Sequence, residues 1–145
     1  MDQAPGLEVG MGAAENVATH RAWTAAEDRQ DLTRHHDFVH DDVVVNQAGA
    51  EPVVGFDGYI TMMEATYAAL PDFHVLLEDQ FATDDRVVCR WRLSGTHKGE
   101  LAGIPATGKH IEYTGVSLWE FDSGKARRGW VFTDTATLMA QLGMA

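Results

Sequence analysis

The sequence is poor in cysteine and in basic residues, and it contains no long apolar run. Its single cysteine, Cys89, cannot form an internal disulfide, which fits a reducing compartment. No stretch approaches the roughly 20 apolar residues of a membrane span, and no basic segment precedes an apolar run at the N-terminus. The 11 basic against 22 acidic residues argue against nucleic acid and against anionic membranes as partners. We therefore expect a cytoplasmic protein without a secretory signal.

What the sequence does contain is enough for one folded domain. It has 145 residues, of which 45% are hydrophobic, and single cores usually form from about 100–200 residues. A core of that size needs neither a metal nor a disulfide for its stability. We expect residues 1–12, which are rich in glycine, to form a flexible tail and residues 13–145 to form the domain.

The hydrophobic spacing changes along the chain from helical to strand-like. Apolar residues at helical spacing predict helices over residues 13–28 and 55–70, with a short second helix around residues 32–39. Beyond Pro71 the pattern predicts four strands and a last helix, over residues 73–81, 86–93, 110–121, 125–133 and 135–142. This order predicts an α+β fold, with helices packed on one face of a curved antiparallel sheet. The concave face would form a pocket for a small molecule.

The residues show no motif for a cofactor or for a metal. The glycines between residues 98 and 109 lack the spacing of a dinucleotide site, and no nucleophile elbow is present. Cys89 lies within an apolar strand face, so we expect a buried structural thiol. The cluster of His35, His36 and His40 is better explained as a solvated helix end than as half of a metal site.

Asp134 is the strongest single candidate for chemistry. On the last predicted strand it alternates with Trp130 and Phe132, and two large aromatic side chains should face inward. A carboxylate among apolar walls would have a raised pKa, which suits proton transfer near neutral pH. Alternatively, Asp134 caps the helix that follows it. The pattern alone favours the capping role, and the two roles can coexist.

Short motifs occur in order along the chain and together carry a family resemblance. They are GFDG at residues 55–58, LPDF at 70–73, DDRV at 84–87, SGTHKG at 94–99, GIPATG at 103–108, SGK at 123–125, and Asp134 followed by QLG at 141–143. From about Glu15 to Gly143 the chain resembles the SnoaL-like polyketide cyclases of the nuclear-transport-factor-2-like (NTF2-like) superfamily.

The resemblance implies both a fold and a reaction. The fold would be an NTF2-like cone, in which a curved antiparallel sheet wraps around N-terminal helices and encloses a deep apolar cavity. The best-understood members close a ring of an anthraquinone-type ester by intramolecular aldol condensation, without metal or organic cofactor. The family's acid/base carboxylate matches Asp134, and a cavity asparagine matches Asn46, which alone would indicate a turn. The family associates through the outer sheet surface, which implies a homo-oligomer.

The other candidate residues would bind a flat, hydrophobic aromatic substrate. At least half of the large apolar side chains are expected to be ordinary core, and the candidates for the cavity lining are Tyr59, Met62, Met63, Tyr67, Trp91, Trp119, Trp130 and Phe132. Glu120 stands where ring cyclases of the family have a histidine, and the pattern leaves open whether it faces the cavity or solvent. His97 could bind at the pocket rim, although a structural contact to the following loop is favoured.

Three functions fit these observations. The first is cofactor-independent ring closure with Asp134 as the acid/base. The second is another enzyme on the same cone, such as a hydroxylation-associated tailoring protein, an isomerase or an epoxide hydrolase. The Asp-Arg-Asp relay of such a hydrolase would need Arg90 or Arg92, which lie opposite the apolar face of their strand. The third is a non-catalytic small-molecule-binding or dimerisation domain.

Overall fold

Three α-helices accompany a sheet in the computed structural model, which describes residues 12–144. Helix α1 spans Ala13–Asp28, α2 spans Phe56–Ala69 and α3 spans Thr135–Gln141. All three form where helical spacing predicts them, within a residue at each end. The prediction for the N-terminal tail lies, apart from residue 12, outside the described residues. None of the described helices is long and apolar enough to cross a membrane.

The strands of the described residues form a single six-stranded sheet. They are β1 (Val39–Gln47), β2 (Val53–Val54), β3 (His74–Ala82), β4 (Arg86–Thr96), β5 (His110–Asp122) and β6 (Lys125–Thr133). Their order across the sheet is β2-β1-β6-β5-β4-β3, and all neighbours are antiparallel except β1 and β6. The sheet is therefore mixed rather than wholly antiparallel. The parallel pair is possible because α2 and four strands connect β1 to β6 and carry the chain across.

The segment between α1 and β1 contains less helix than the sequence predicts. Only a 3₁₀ turn, His35–Asp37, forms where a helix is predicted over residues 32–39, and β1 already begins at Val39. The valines of β1 are β-branched and prefer an extended backbone, and they pair with β6. Strand β2 was not predicted, because two residues are too few to show an alternation.

The core lies between α1, α2 and the inner face of the sheet. Helix α1 packs against β3 and β4, while α2 packs against β1 and β2. Along β5 every second side chain is buried, and those facing inward are Ile111, Tyr113, Ser117, Trp119 and Phe121. Because only one face is buried, a shift by one residue would expose this whole set, so the register of the strand is strongly specified.

Two tryptophans lie across glycines of the neighbouring strand. Trp91 of β4 pairs with Gly115 of β5, and Trp119 of β5 pairs with Gly129 of β6. A Cβ atom added at either glycine would lie 2.2 Å from the facing indole ring. Glycine is therefore required at both positions. We call Trp91 and Trp119 the tryptophan floor, because their indoles cover the inner face of the sheet.

Candidate functional site

A cavity of about 510 Å³ lies between α1, α2 and the inner face of the sheet. Both helices, the sheet and the segment before β3 contribute aromatic walls, which are Trp23, Tyr59, Phe73, Trp91, Tyr113 and Trp119. Most of the remaining lining is apolar, and its polar side chains are His20, Thr24, Glu27, Gln47, Thr66, Ser117, Thr133 and Thr135. Pockets that bind drug-sized ligands measure roughly 300–1,000 Å³, so this cavity can hold a polycyclic compound.

Hydrogen bonds and ring contacts hold the tryptophan floor in place. Trp91 Nε1 donates to Ser117 Oγ over 2.9 Å, and the Trp91 ring meets Tyr113 edge-on at a centroid distance of 6.1 Å. Trp119 packs against Trp23 of α1, with ring centroids 4.7 Å apart. Indole rings that are fixed in this way offer a preorganised apolar surface on which a flat ring system can stack.

Glu27, in the last turn of α1, is the one carboxylate among the described lining residues of the cavity. Its Oε2 accepts three hydrogen bonds, from Trp23 Nε1 at 2.7 Å, from His35 Nε2 at 3.0 Å and from the Tyr59 hydroxyl. No other hydrogen bond from the described residues reaches the carboxylate, and 15% of the side chain remains exposed, so Oε1 is open to water or to a ligand. A carboxylate that is fixed through one oxygen and free at the other can exchange a proton with a ligand.

The groups around Glu27 act as donors that hold it. Burial raises the pKa of Tyr59 well above its ordinary value, and the adjacent Glu27 charge raises it further, so the phenol stays protonated and donates. His35 is fully buried, and its ring lies 6.0 Å from that of Tyr59. The Tyr67 hydroxyl donates to the backbone carbonyl of Glu27 over 2.7 Å, which fixes the end of α1.

Sequence reasoning missed Glu27 because it stands beside Asp28 and Arg29 at the polar end of α1. Charged residues in that position are usually solvated. The available signal is its spacing from Trp23, since residues four apart share one helix face and a tryptophan faces the core. That spacing alone does not distinguish a glutamate inside a cavity from one at the rim of the core.

His20 is a second polar group in the cavity wall, and burial lowers its pKa to about 4. Arg21 Nε donates to Gln80 Oε1 over 2.7 Å, which orients the amide so that Gln80 Nε2 donates to His20 Nδ1 over 2.8 Å. Because Nδ1 accepts, the proton of the neutral ring resides on Nε2. His20 is therefore a neutral hydrogen-bond donor at physiological pH.

Several of the predicted substrate-binding residues do lie together in the cavity wall. They are Tyr59, Met63, Trp91 and Trp119, accompanied by Met62. Tyr67 is instead engaged with the backbone at the end of α1. Contact of these side chains with a substrate remains a prediction, although their common location is what such a role requires.

Asp134 lies outside the cavity, at the N-terminus of α3. Its Oδ1 accepts from the Thr137 backbone amide at 3.1 Å, and its Oδ2 accepts from Thr137 Oγ1 at 2.7 Å. The side-chain and backbone hydrogen bonds from Thr137 lower the pKa of this exposed carboxyl below its usual value. The expected raised pKa is therefore wrong, because the carboxylate has donors around it instead of apolar walls. The capping geometry is present, and the acid/base role stays a prediction.

The two faces of β6 are the reverse of the prediction. Val131 and Thr133 line the cavity, whereas Phe132 is 56% exposed and Trp130 lies on the same outer face. The reason is Trp119 on β5, whose indole covers the inner side of β6 and leaves no room for large side chains there. The assumption that the largest aromatic residues of a strand face inward fails when a neighbouring strand supplies them.

Asn46 and Glu120 also lie on the outer face of the sheet. Asn46 Nδ2 donates to the backbone carbonyl of Gly129 over 3.1 Å. Glu120 accepts from Arg86 Nη2 over 2.8 Å, which resolves the open question of its direction in favour of the outer surface. Asn46 is paired with Trp130 on the outer face, and Glu120 binds Arg86 there, so neither polar side chain points into the cavity.

His97 is fully buried but does not line the cavity. Its Nδ1 accepts from the backbone amide of Thr107 at 3.2 Å and lies 2.9 Å from Thr107 Oγ1. Backbone hydrogen bonds also join His97 to Gly108 and Lys109. The ring therefore fixes the loop that follows β4, which is the structural contact that the sequence favours.

No described group of three histidine, cysteine, aspartate or glutamate side chains could hold a metal ion. His36 lies 3.3 Å from Asp41 at the surface, and His40 Nε2 contacts the backbone carbonyl of Asp122. Cys89 is buried in the cavity wall, and burial raises its pKa to about 11, so the thiol is unreactive at neutral pH.

A family model described as SnoaL-like polyketide cyclase matches residues 17–142 of the chain. The chain belongs to the SnoaL-like polyketide cyclase family. Its expected α+β, NTF2-like fold is confirmed by the structure of a protein from Jannaschia sp. CCS1 that is described as a candidate SnoaL-like polyketide cyclase. That protein is 21% identical and has a TM-score of 0.83, over 100% of this chain and 99% of its own. A search of curated proteins finds no match.

Two other solved structures of SnoaL-like fold are more similar in sequence. AclR from Streptomyces galilaeus, described as a candidate hydroxylase, is 28% identical with a TM-score of 0.79, over 92% of this chain and 98% of its own. IdmH from Streptomyces antibioticus, described as a candidate polyketide cyclase, is 27% identical with a TM-score of 0.76, over 89% of this chain and 99% of its own. Members with different described reactions therefore share this cone.

Proposed function

We propose that this SnoaL-like protein is a cytoplasmic, cofactor-independent cyclase that closes a ring of an aromatic polyketide by intramolecular aldol condensation. The observation that carries the proposal is the apolar cavity, whose described lining contains both the tryptophan floor and a single carboxylate, the hydrogen-bonded Glu27. The match to the polyketide cyclase family and the likeness to IdmH support the same substrate class. The substrate would be an anthraquinone-type ester, which is flat, hydrophobic and rich in carbonyl groups.

The reaction needs only proton transfer and orientation. A base removes the proton from the carbon between the ester and the aromatic ketone, and the electron pair of that bond becomes an enolate. The enolate carbon attacks a second carbonyl carbon, a C–C bond forms, and the resulting alkoxide takes back the proton. No oxidant, reductant or co-reactant is required. A single positioned acid/base can therefore serve both transfers.

The cavity walls would supply the orientation. Trp91 and Trp119 offer the surface on which the polycycle stacks, and Met63 and Tyr59 close the cavity from α2. Exclusion of water from such a site strengthens every electrostatic contact to the developing oxyanion. His20 would donate from Nε2 to a substrate carbonyl, because its other ring nitrogen is occupied by Gln80.

The acid/base role of Asp134, which the family resemblance implies, is also part of the proposal. Its neighbours in sequence, Thr133 and Thr135, both line the cavity, whereas Asp134 itself does not. It would reach a substrate only by releasing Thr137, to which both of its oxygens are bound. Its position before the QLG motif supports the role, and its exposure and lowered pKa weigh against it.

Ring closure of an anthraquinone-type ester under single-turnover conditions tests the proposed function. We expect product formation that is accelerated by the purified protein in the presence of a chelator and without added cofactor. A Trp91→Ala variant should lose most of the binding, whereas Leu76→Ala on the exposed outer face should behave like the wild type. Absence of acceleration with every ester of this class would reject the cyclase function.

A second enzymatic function is favoured by the likeness to AclR, the candidate hydroxylase. A hydroxylation-associated tailoring protein would use the same aromatic cavity with an oxygen-supplying co-reactant. The epoxide-hydrolase alternative finds no support, because Arg90 and Arg92 point outward and bind Glu78 at 2.6 and 2.8 Å. A non-catalytic binding domain would bind polycyclic aromatics without converting them, which the same assay distinguishes.

The outer face of the sheet supports a homo-oligomer, which we also propose. Register pairs Val88 with Leu118 and Leu118 with Trp130, while Val116 pairs with Phe132. Val116 is 41% and Phe132 is 56% exposed, so these side chains form a continuous apolar stripe on the surface. A second copy of the chain would cover it. Light scattering should show a dimer or larger assembly, and a monomer at micromolar concentration would contradict this.

A further inference from the structure

We infer that Glu27 is an acid/base of this cavity that exchanges a proton with the substrate through Oε1. The inference rests on the proposed function, because it assigns a residue to the proposed ring closure. It also makes a statement about ligand binding that does not depend on turnover. Of the described lining residues, Glu27 alone carries a carboxylate, so it is the one group of that chemistry that a substrate inside the cavity can meet.

The two carboxylate oxygens of Glu27 differ in their hydrogen bonding. Three donors from three segments, Trp23 on α1, Tyr59 on α2 and His35 on the 3₁₀ turn, converge on Oε2. Among the described residues, every side-chain hydrogen bond to this carboxylate goes to Oε2 and none goes to Oε1. Oε1 is not among the buried polar atoms that lack a partner, so it remains accessible to water or to a ligand. The arrangement is that of a base held in a fixed orientation with its reactive atom free.

The surroundings are built to keep this orientation. His35 is fully buried, and with Nε2 donating to Glu27 its ring cannot turn without breaking that bond. Tyr59 is buried and remains protonated, so its hydroxyl stays a donor. His35 thus holds Glu27 from within the core, while Trp23, Tyr59 and Glu27 itself line the cavity. Placement to within about 1 Å matters, because a shift of that size can cost roughly 100-fold in rate.

The proposed proton transfers and the C–C bond formation need no group other than Glu27 and the substrate. Oε1 takes the proton of the acidic C–H bond, and the electron pair of that bond moves into the enolate. After the enolate carbon has bonded to the ketone carbon, the ketone π electrons reside on oxygen, and Glu27 returns the proton to this alkoxide. Glu27 ends in the state in which it began.

The first test compares two glutamate-to-glutamine variants under single-turnover conditions. Glu27→Gln keeps the size of the side chain and an oxygen for the three donors, but it cannot exchange the proton. We expect a loss of about 10²–10⁴-fold in rate with ligand binding retained. Glu64→Gln, an exposed position on α2, should have the wild-type rate. A folded Glu27→Gln variant with the wild-type rate would overturn the inference and leave the proposed function standing.

A binding measurement tests Glu27 independently of ring closure. Fluorescence titration would compare a hydroxyanthraquinone with its methoxy analogue, since only the hydroxyl can donate to Oε1. We expect the wild type to prefer the hydroxyl compound about 10-fold or more, and Glu27→Gln to lose most of that preference. If no ester is converted, the proposed function and the acid/base role fail together, and this preference then decides whether Oε1 accepts a hydrogen bond from a ligand. An equal preference in both proteins would overturn it.

The variant Glu27→Asp covers the case in which Glu27→Gln does not fold. It retains a carboxylate but withdraws it by one methylene from the donors and from the cavity. We expect about a 100-fold loss in rate, because the base is misplaced. Wild-type turnover by Glu27→Asp would overturn the inference.

Discussion

His20 makes the stability of this protein depend on pH in a way that can be calculated. The imidazole is 4% exposed, stacks edge-on against Trp23 at 5.6 Å and has a pKa lowered by burial from 6.5 to about 4. In the unfolded chain the ring binds a proton as the pH falls through 6.5, while the folded protein does not. Stability is therefore unaffected above pH 6.5 and decreases as the pH falls from there toward about 4.

The size of the effect follows from the difference between the two pKa values. Each pKa unit corresponds to about 1.4 kcal/mol, so the full effect of this titration is about 3 kcal/mol, reached below pH 4. At about pH 5 roughly 2 kcal/mol of it should already be lost. Other groups titrate in the same range, so the effect of His20 must be taken as a difference between two proteins.

The assay is urea unfolding of the wild type and of His20→Gln over the range from about pH 7.5 to 5. Glutamine can accept from Gln80 but does not titrate, so the gap between the two unfolding free energies should change by about 2 kcal/mol over this range. His110→Gln, at an exposed position on β5, serves as the control and should run parallel to the wild type. Parallel curves for His20→Gln and the wild type would refute the reasoning.

Three further predictions concern the helix cap, the thiol and the strand glycines. Asp134→Ala should lower the melting temperature by about 2–5 °C, whereas Asp134→Asn should preserve it, because asparagine also accepts from the Thr137 amide. Cys89 should resist alkylation by iodoacetamide at about pH 8 in the folded protein and react on unfolding, because burial raises its pKa to about 11. Gly129→Ala should destabilise by about 1–3 kcal/mol, because its Cβ would lie 2.2 Å from the Trp119 ring.

Each of these has a contrary outcome that is easy to recognise. Equal melting temperatures of Asp134→Ala and Asp134→Asn would mean that the cap contributes nothing, and wild-type turnover of Asp134→Asn would end its assignment as an acid/base. If iodoacetamide labels Cys89 in the folded protein as fast as in the unfolded chain, the thiol is accessible and its burial in the cavity wall is contradicted. Gly58→Ala, where the added Cβ meets only an ordinary contact at 3.5 Å, is the control for Gly129→Ala and should not destabilise.

The fold could be predicted from the sequence because its signals are local and repeated. The helical spacing before Pro71 and the alternation after it are properties of single segments, and most segments folded as their own pattern indicates, the helix over residues 32–39 being the exception. The parallel pairing of β1 with β6 was not predicted, since it depends on where the chain returns after α2 and four strands. No local pattern encodes that choice.

The site was harder to predict because it depends on neighbours from other elements. The direction of Trp130 and Phe132 was wrong, since Trp119 on the adjacent strand occupies the inner side of β6. Glu27 was missed, since the partners that hold it, Tyr59 and His35, are distant in sequence and meet it only in the folded chain. The motif-based position of Asp134 indicates the family, while its surroundings are set by Thr137.

The central claim is that the cavity holds a flat aromatic polyketide against the tryptophan floor, with the substrate's acidic group at Glu27. A crystal structure with a bound hydroxyanthraquinone ester is the most direct test. The account predicts a ligand stacked on Trp91 and Trp119, with an oxygen or the acidic carbon within about 3.5 Å of Glu27 Oε1. A ligand bound on the outer face of the sheet, or one in the cavity that leaves Glu27 untouched, would contradict it.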